Sequence, residues 1–268
     1  MQPSSYSQNS SFTVGRLTVQ VWTDSAWNGG PAIAGPNGLI TVFPPGFNYF
    51  NASASQALTE AMGALFSNNP ALAQAIGHVD IFVTPPGATE TFDTPVGPLA
   101  PNEQGATRPG PRIMAVRSTG LAVQGAGLFV HEFGHIVFSV AHVTSYPGGG
   151  PPQEKYVATD PSEEFAQDLT TDYGYGELPP DLASAGAARW GKGTAQDAKI
   201  GQAWLKSHNR AGDLKVLTDT VGVPPVLVGP KPGVLKPVQS TGRAKLVRVP
   251  SWTEGRERSA GKTRSVAW

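Results

Sequence analysis

The sequence predicts an α+β protein, and three observations carry that prediction. Alternating or continuous apolar runs of strand type occupy the chain up to residue 117. From residue 121 onward the apolar residues recur instead at helical spacing. Gly and Pro, 32 and 25 of the 268 residues, punctuate both halves and keep the elements short, and no internal repeat is present.

The elements follow in order. Residues 1–11 are rich in Ser, Gln and Asn and read as a flexible tail. Phe12 to Trp22 alternates, with Leu17, Val19 and Val21 on one face, which is a strand pattern. Leu39 to Phe43 is a second β-rich run, ended by Pro44-Pro45-Gly46. Ser55 to Ser67 sets Leu58, Met62, Leu65 and Phe66 at helical spacing before Asn68-Asn69-Pro70 stops it. Val79 to Val83 is a third strand. Residues 84–111 hold seven Pro and four Gly and read as a long surface loop. Arg112 to Arg117 is a fourth short strand. Leu121 to His142 then reads as one helix, residues 143–159 as a Gly/Pro loop, and Pro161 to about Tyr173 as a second helix. Thr194 to His208 is a third, with Ala198, Ile200, Ala203, Trp204 and Leu205 as its apolar face.

Charge is balanced overall, with 20 Lys plus Arg against 20 Asp plus Glu, which excludes a globally basic nucleic-acid binder. The balance is uneven along the chain: residues 229–268 carry nine Lys/Arg and two acids, Glu254 and Glu257, and are expected to form an extended basic tail with short strands near 244–249 at most. The division expected is therefore a tail over 1–11, one folded domain over 12–228 and a basic Pro/Gly-containing tail over 229–268. With no Cys, disulfide scaffolds, thiolate zinc sites and thiol catalysis are excluded. No run reaches the roughly 18 consecutive apolar residues of a membrane span. The first residues lack a basic and then an apolar segment, so no secretory signal is expected, leaving a cytoplasmic protein or one delivered without a signal peptide.

The helix starting at Leu121 carries His131-Glu132-Phe133-Gly134-His135, an H-E-x-x-H motif. On a helix, residues four apart stack on one face, so both imidazoles can aim at one point, as a tetrahedral zinc ion requires. Leu128, Phe129, Phe133, Ile136, Phe138 and Val140 make the rest of the helix apolar and therefore buried. Two imidazoles and a carboxylate are costly to bury without partners, and a bound dication would offset that cost.

A third ligand is required. His142 follows His135 by seven residues, roughly 10 Å along a continuing helix and too far to share the metal; it fits an interaction with the helix dipole better. An extended motif ending in a third His is absent, since Phe138 stands at its Gly position and Ala141 at its His position. The second helix offers acids: Asp160 suits the N-cap, Pro161 the first helical position, and Glu163 the third, where it can close a capping box. Glu164, one step round and sharing a face with Asp168, is the expected third ligand, with Glu163 as its substitute. Asp168 would then accept the free ring N–H of a ligand histidine.

With these motifs the chain resembles the gluzincin metallopeptidases, and within them the lethal factor-like catalytic domains. The likeness rests on His131-Glu132-Phe133-Gly134-His135 and on Ser162-Glu163-Glu164-Phe165-Ala166, and covers about residues 112–173. Asp168 departs from it, standing where those proteins tend to have Glu. The resemblance implies a zincin-like fold over 12–228, one Zn2+ held by His131, His135 and Glu164, and hydrolysis of peptide bonds with Glu132 as general base. It implies Tyr156 as donor to the oxyanion, with Tyr173 and Tyr146 as competitors. It also implies that the strand Arg112–Arg117 is a sheet edge on which an extended peptide is laid, so that Pro at Met114 or Val116 would stop cleavage.

The partner expected is a protein or peptide substrate, in keeping with a toxin or effector protease, and no nucleic acid. A catalytically silent zincin-like binding module is the alternative; the intact Glu132 argues against it, because a binding scaffold has no use for a general base. A third reading, in which the basic tail docks on nucleic acid or an anionic membrane, lacks the aromatic interleaving of single-strand binders.

Overall fold

A computed structural model describes residues 5–34, 39–141, 160–178 and 189–208. Strands β1 (Tyr6–Val14) and β2 (Leu17–Asp24) form an antiparallel hairpin closed at Gly15, whose φ of 57° suits glycine. β2 continues into the small hairpin β3 (Gly30–Ala34) and β4 (Leu39–Phe43), which stands apart from the main sheet. Helices α1 (Ala52–Phe66) and α2 (Pro70–Ile76) follow, with Asn51 and Asn69 each accepting a backbone N–H at the N-cap. The Asn-Asn-Pro that ends α1 therefore also starts α2.

Next come β5 (His78–Thr84), β6 (Phe92–Thr94), β7 (Gly97–Leu99), β8 (Gly105–Arg108) and β9 (Ile113–Arg117). α3 (Ser118–Gln124), α4 (Ala126–Val140), α5 (Pro161–Asp172), β10 (Tyr175–Leu178), β11 (Arg189–Lys192) and α6 (Ala195–Ser207) complete the described chain. The main sheet is mixed, in the order β1-β2-β5-β9-β8, with β2, β5 and β9 parallel and an antiparallel strand at each edge. The α+β class expected from the sequence is thus observed.

The strand alternation explains where the core sits. Leu17, Val19 and Val21 of β2, Val79, Ile81 and Val83 of β5, and Met114 and Val116 of β9 share one face and pack on α1, α2 and α4. The opposite face carries a smaller cluster of Phe82, Val96 and Ala115, to which Tyr6, Trp22 and Ala106 add. Ala126 through Val137 of α4 are all buried, as its all-round apolar sequence requires. Among the described residues no single helix is long and apolar enough to cross a membrane.

Four expectations are corrected. Residues 6–11 are not tail but the first part of β1: their polar side chains suit an exposed sheet edge as well as they suit a coil. The Leu121–His142 helix is two helices bent by 110° at Gly125, whose φ of 55° ends α3 and opens α4. Residues 84–111 are not a plain loop but hold β6, β7 and β8. Consequently Arg112–Arg117 is not an edge: β9 lies between β5 and β8, and the edge is β8.

One side chain accounts for the order of that Pro-rich segment. The Arg117 guanidinium, almost wholly buried, donates to the backbone carbonyls of Glu103 (2.7 Å), Gly87 (2.8 Å), Glu90 (2.7 Å), Leu99 (2.8 Å) and Ala100 (2.6 Å). It also lies over the Phe92 ring, 5.0 Å from the centroid. Carbonyls that Pro-rich chain cannot pair in ladders are gathered on one fork of donors. The basic tail over 229–268 and the loop over 143–159 lie outside the described residues.

Candidate metal centre

α4 presents His131 and His135 one turn apart, both buried, with ring planes at 86°. Their Nε2 atoms lie 3.3 Å from each other. From α5, Glu163 Oε2 lies 3.2 Å from His131 Nε2 and 3.5 Å from His135 Nε2. These three donors form the single group among the described residues that could hold a metal ion. Their spacing tests the fit directly. Zinc–nitrogen and zinc–oxygen bonds of about 2.0–2.2 Å at tetrahedral angles separate neighbouring donors by about 3.3–3.5 Å. The observed edges of 3.2, 3.3 and 3.5 Å lie at or just below that range, so the residues present fit a four-coordinate ion with one open position.

The third member is Glu163, not the expected Glu164. The helix seam explains the choice. A Cβ on Gly134 would come within 2.8 Å of Ala166 Cα and 2.9 Å of its Cβ, so α4 and α5 touch backbone to backbone there. Ala166 thereby fixes which stripe of α5 faces α4, and Glu163, three residues earlier, lies on that stripe. Glu164 is buried but one step round the helix, outside the group. Nor does Glu163 act only as a cap: Asp160 Oδ1 accepts the Ser162 N–H (2.9 Å) while the Glu163 carboxylate goes to the histidines.

Asp168, expected to orient a ligand histidine, is fully buried on α5 and does not line the cleft described below. At His135 the ring is held by Ser162, its Oγ 2.6 Å from Nδ1. With Nε2 turned to the triangle, Nδ1–H donates to the hydroxyl and fixes the ring. Asp168 does contribute to the state of Asp172, one turn on, whose pKa burial pushes up to about 6 against a hydrogen bond from Gln202 and with the Asp168 charge adding to the rise.

Glu132 is buried beside the triangle but outside it. Two residues of β8 hold it. Thr107 Oγ1 donates to Glu132 Oε2 at 2.5 Å, and Gly105 is so close that a Cβ there would run into the carboxylate. Burial raises the Glu132 pKa above its ordinary value, opposed by the charges of His131 and His135 and by the Thr107 hydrogen bond. Burial would lower the His135 pKa, but the Glu163 hydrogen bond and the charges of Glu132, Glu163 and Asp160 outweigh it and leave it raised. Glu163 is driven the other way: the two histidines overcome the effect of burial and hold its pKa far below the usual range.

The group opens into a cleft of about 350 Å³ between β8 and the N-terminal turn of α5. Glu103, Asp160, Glu132 and Glu163 line it with no Lys or Arg among the lining residues. The backbone of β8 borders it, and its register is informative. Arg117 N–H donates to Gln104 O at 2.8 Å, so residue 104 opposes residue 117 in a bonded pair. In an antiparallel ladder bonded and non-bonded pairs alternate, which turns the N–H and C=O of Gly105 and Thr107 outward, toward the side of β8 that pairs with no strand among the described residues.

The candidate tyrosines divide. Tyr156 and Tyr146 lie outside the described residues, as does His142. Tyr173 ends α5, packs against the core, and does not line the cleft. Sequence reasoning assigned no role to Gly105, Thr107 or Ser162; Ser162 lay within the quoted motif, and its place one residue before Glu163 was the available signal. Comparison of the chain with family models, curated proteins and solved structures returned no match.

Proposed function

We propose that this chain is a zinc-dependent endopeptidase of zincin-like fold, with its centre at His131, His135 and Glu163. The observation that carries the reading is the donor triangle of tetrahedral edge length with a separate, buried carboxylate beside it. Two neutral imidazoles and one carboxylate are the donor set of catalytic zinc, and a spare acid is what distinguishes hydrolysis from mere metal storage. Zinc held by these three residues would supply a water made acidic near neutrality and a Lewis acid for the scissile carbonyl.

The chain's own residues do the rest. Glu132 accepts the proton of the attacking water and later delivers it to the leaving amine. Its burial raises the carboxyl pKa, which makes the carboxylate a stronger base for taking that proton from water. Ser162 keeps His135 turned so that Nε2 faces the centre. The outward N–H and C=O groups of Gly105 and Thr107, the two residues that touch the Glu132 carboxylate, offer an extended peptide a strand to pair with. The role that the resemblance gives to the Arg112–Arg117 strand thus passes to β8. Tyr156 is the oxyanion donor on the resemblance alone.

Fluorescein-labelled casein tests the reading. The zinc-loaded protein is expected to cleave it, and Glu132→Gln to abolish cleavage by at least about 100-fold while retaining metal. Cleavage unchanged in Glu132→Gln would remove the general base from the mechanism.

A further inference from the structure

The H-E-x-x-H pattern requires a general base near the metal but does not say what stops that base from joining the ligands. Glu132 is one residue from His131 and lines the same cleft as both histidines. A carboxylate on such a tether has a choice between the triangle and the edge strand. Two features of β8 decide it. Thr107 supplies a donor at 2.5 Å, and Gly105 leaves the space the carboxylate occupies. Both sit on the helix-facing side of β8, opposite Met114 and Val116 of β9.

We propose that Thr107 is the positioning residue for Glu132: its hydroxyl ties the carboxylate to the edge strand and holds it outside the His131–His135–Glu163 triangle. The inference rests on the peptidase reading for its catalytic meaning, and on geometry alone for the contact. Its consequence is an alignment. The backbone of residues 105–107 that would register a substrate strand and the side chain that sets the base are one three-residue piece. Arg117 moors that piece through the Glu103 carbonyl and through its N–H on Gln104. Substrate and base are then placed relative to each other by β8 rather than by two independent loops.

The test uses full-length Thr107→Val and Thr107→Ser, each zinc-loaded, with labelled casein as probe. Thr107→Val is expected to lower kcat by about 10- to 100-fold with KM unchanged, and Thr107→Ser to restore most of it. Thr107→Ala repeats the deletion with a smaller side chain should the Val variant fold poorly. A readout independent of activity is a melting cycle on metal-free protein. Thr107→Val should lower Tm by roughly 3 °C or more in the native background and by much less in a Glu132→Met background, where the carboxylate acceptor is gone and only the longer contact to the Glu132 backbone carbonyl (3.4 Å) is left. Native kcat in Thr107→Val, or no rescue by Ser, would overturn the positioning role. Equal Tm losses in both backgrounds would overturn the contact itself. Were the native protein to cleave nothing, the peptidase reading would fall, and the melting cycle would still decide whether Thr107 holds Glu132.

Discussion

Glu163 is the residue on which the centre turns, because it is the only acid that reaches both imidazoles among the described residues. Replacing it by Gln removes a charged donor and should cost more metal affinity than the roughly 10- to 100-fold typical of losing an outer hydrogen bond. Glu164→Gln, in the neighbouring position, should leave affinity near native; competition against a chelator separates the two. Protonation gives a second prediction at this scale. In the metal-free state the His135 pKa lies above its ordinary 6.5 and that of Glu163 below its ordinary 4.5. The raised His135 stabilises the fold below about pH 6.5, and that contribution is lost as pH rises through its folded pKa. The lowered Glu163 stabilises it above about pH 4.5, and that contribution is lost as pH falls. The metal-free pair therefore helps most between those values. Metal needs His135 deprotonated, so affinity falls on acidification, beginning above the ordinary imidazole range. Melting with and without zinc at pH 5.5 and pH 8 should show the larger zinc-induced rise at pH 8.

Two contacts between elements place these residues. The α4–α5 seam at Gly134 and Ala166 sets the rotation of α5, and through it the choice of glutamate. Gly134→Ala forces a methyl against Ala166, so it should destabilise by about 1–3 kcal/mol and weaken metal binding by moving Glu163. Denaturant unfolding together with the chelator competition would measure both. The second contact is the mooring of β8. Replacing Arg117 by Met leaves up to five carbonyls without their donor, with an expected loss of at least about 3 kcal/mol in the same unfolding experiment. Lys, with no planar fork, should recover only part of it. A loss below 1 kcal/mol in Arg117→Met would mean that the Pro-rich segment holds itself in place.

At the scale of the molecule, the parts legible in the sequence are those whose signals are local. β2, β5 and β9 announce themselves by their β-type apolar runs, α1 and α6 by apolar spacing, and α5 by its Asp160 cap, although α1 begins at Ala52 rather than at Ser55. The two histidines and Glu132 were legible for the same reason, since one helical turn fixes their relation. What was not legible depends on contacts distant in sequence. β8 is four residues long inside a Pro-rich stretch, and only pairing with β9 and the Arg117 donors make it a strand. The bend at Gly125 breaks a run whose apolar spacing continues on both sides. Glu163 and Glu164 are equivalent until the Gly134–Ala166 seam sets the phase of α5. The edge that borders the cleft therefore moved from β9 to β8, and the third donor from Glu164 to Glu163.

The central claim is that His131, His135 and Glu163 hold one catalytic metal ion, and the most direct measurement is metal content per chain. Elemental mass spectrometry of protein purified without added metal or chelator is expected to give a value near one, zinc predominating, and a value near zero for Glu163→Gln. A value near zero for the native chain, unchanged after dialysis against zinc, would contradict the account and leave the buried histidines as an ion pair with Glu163 alone.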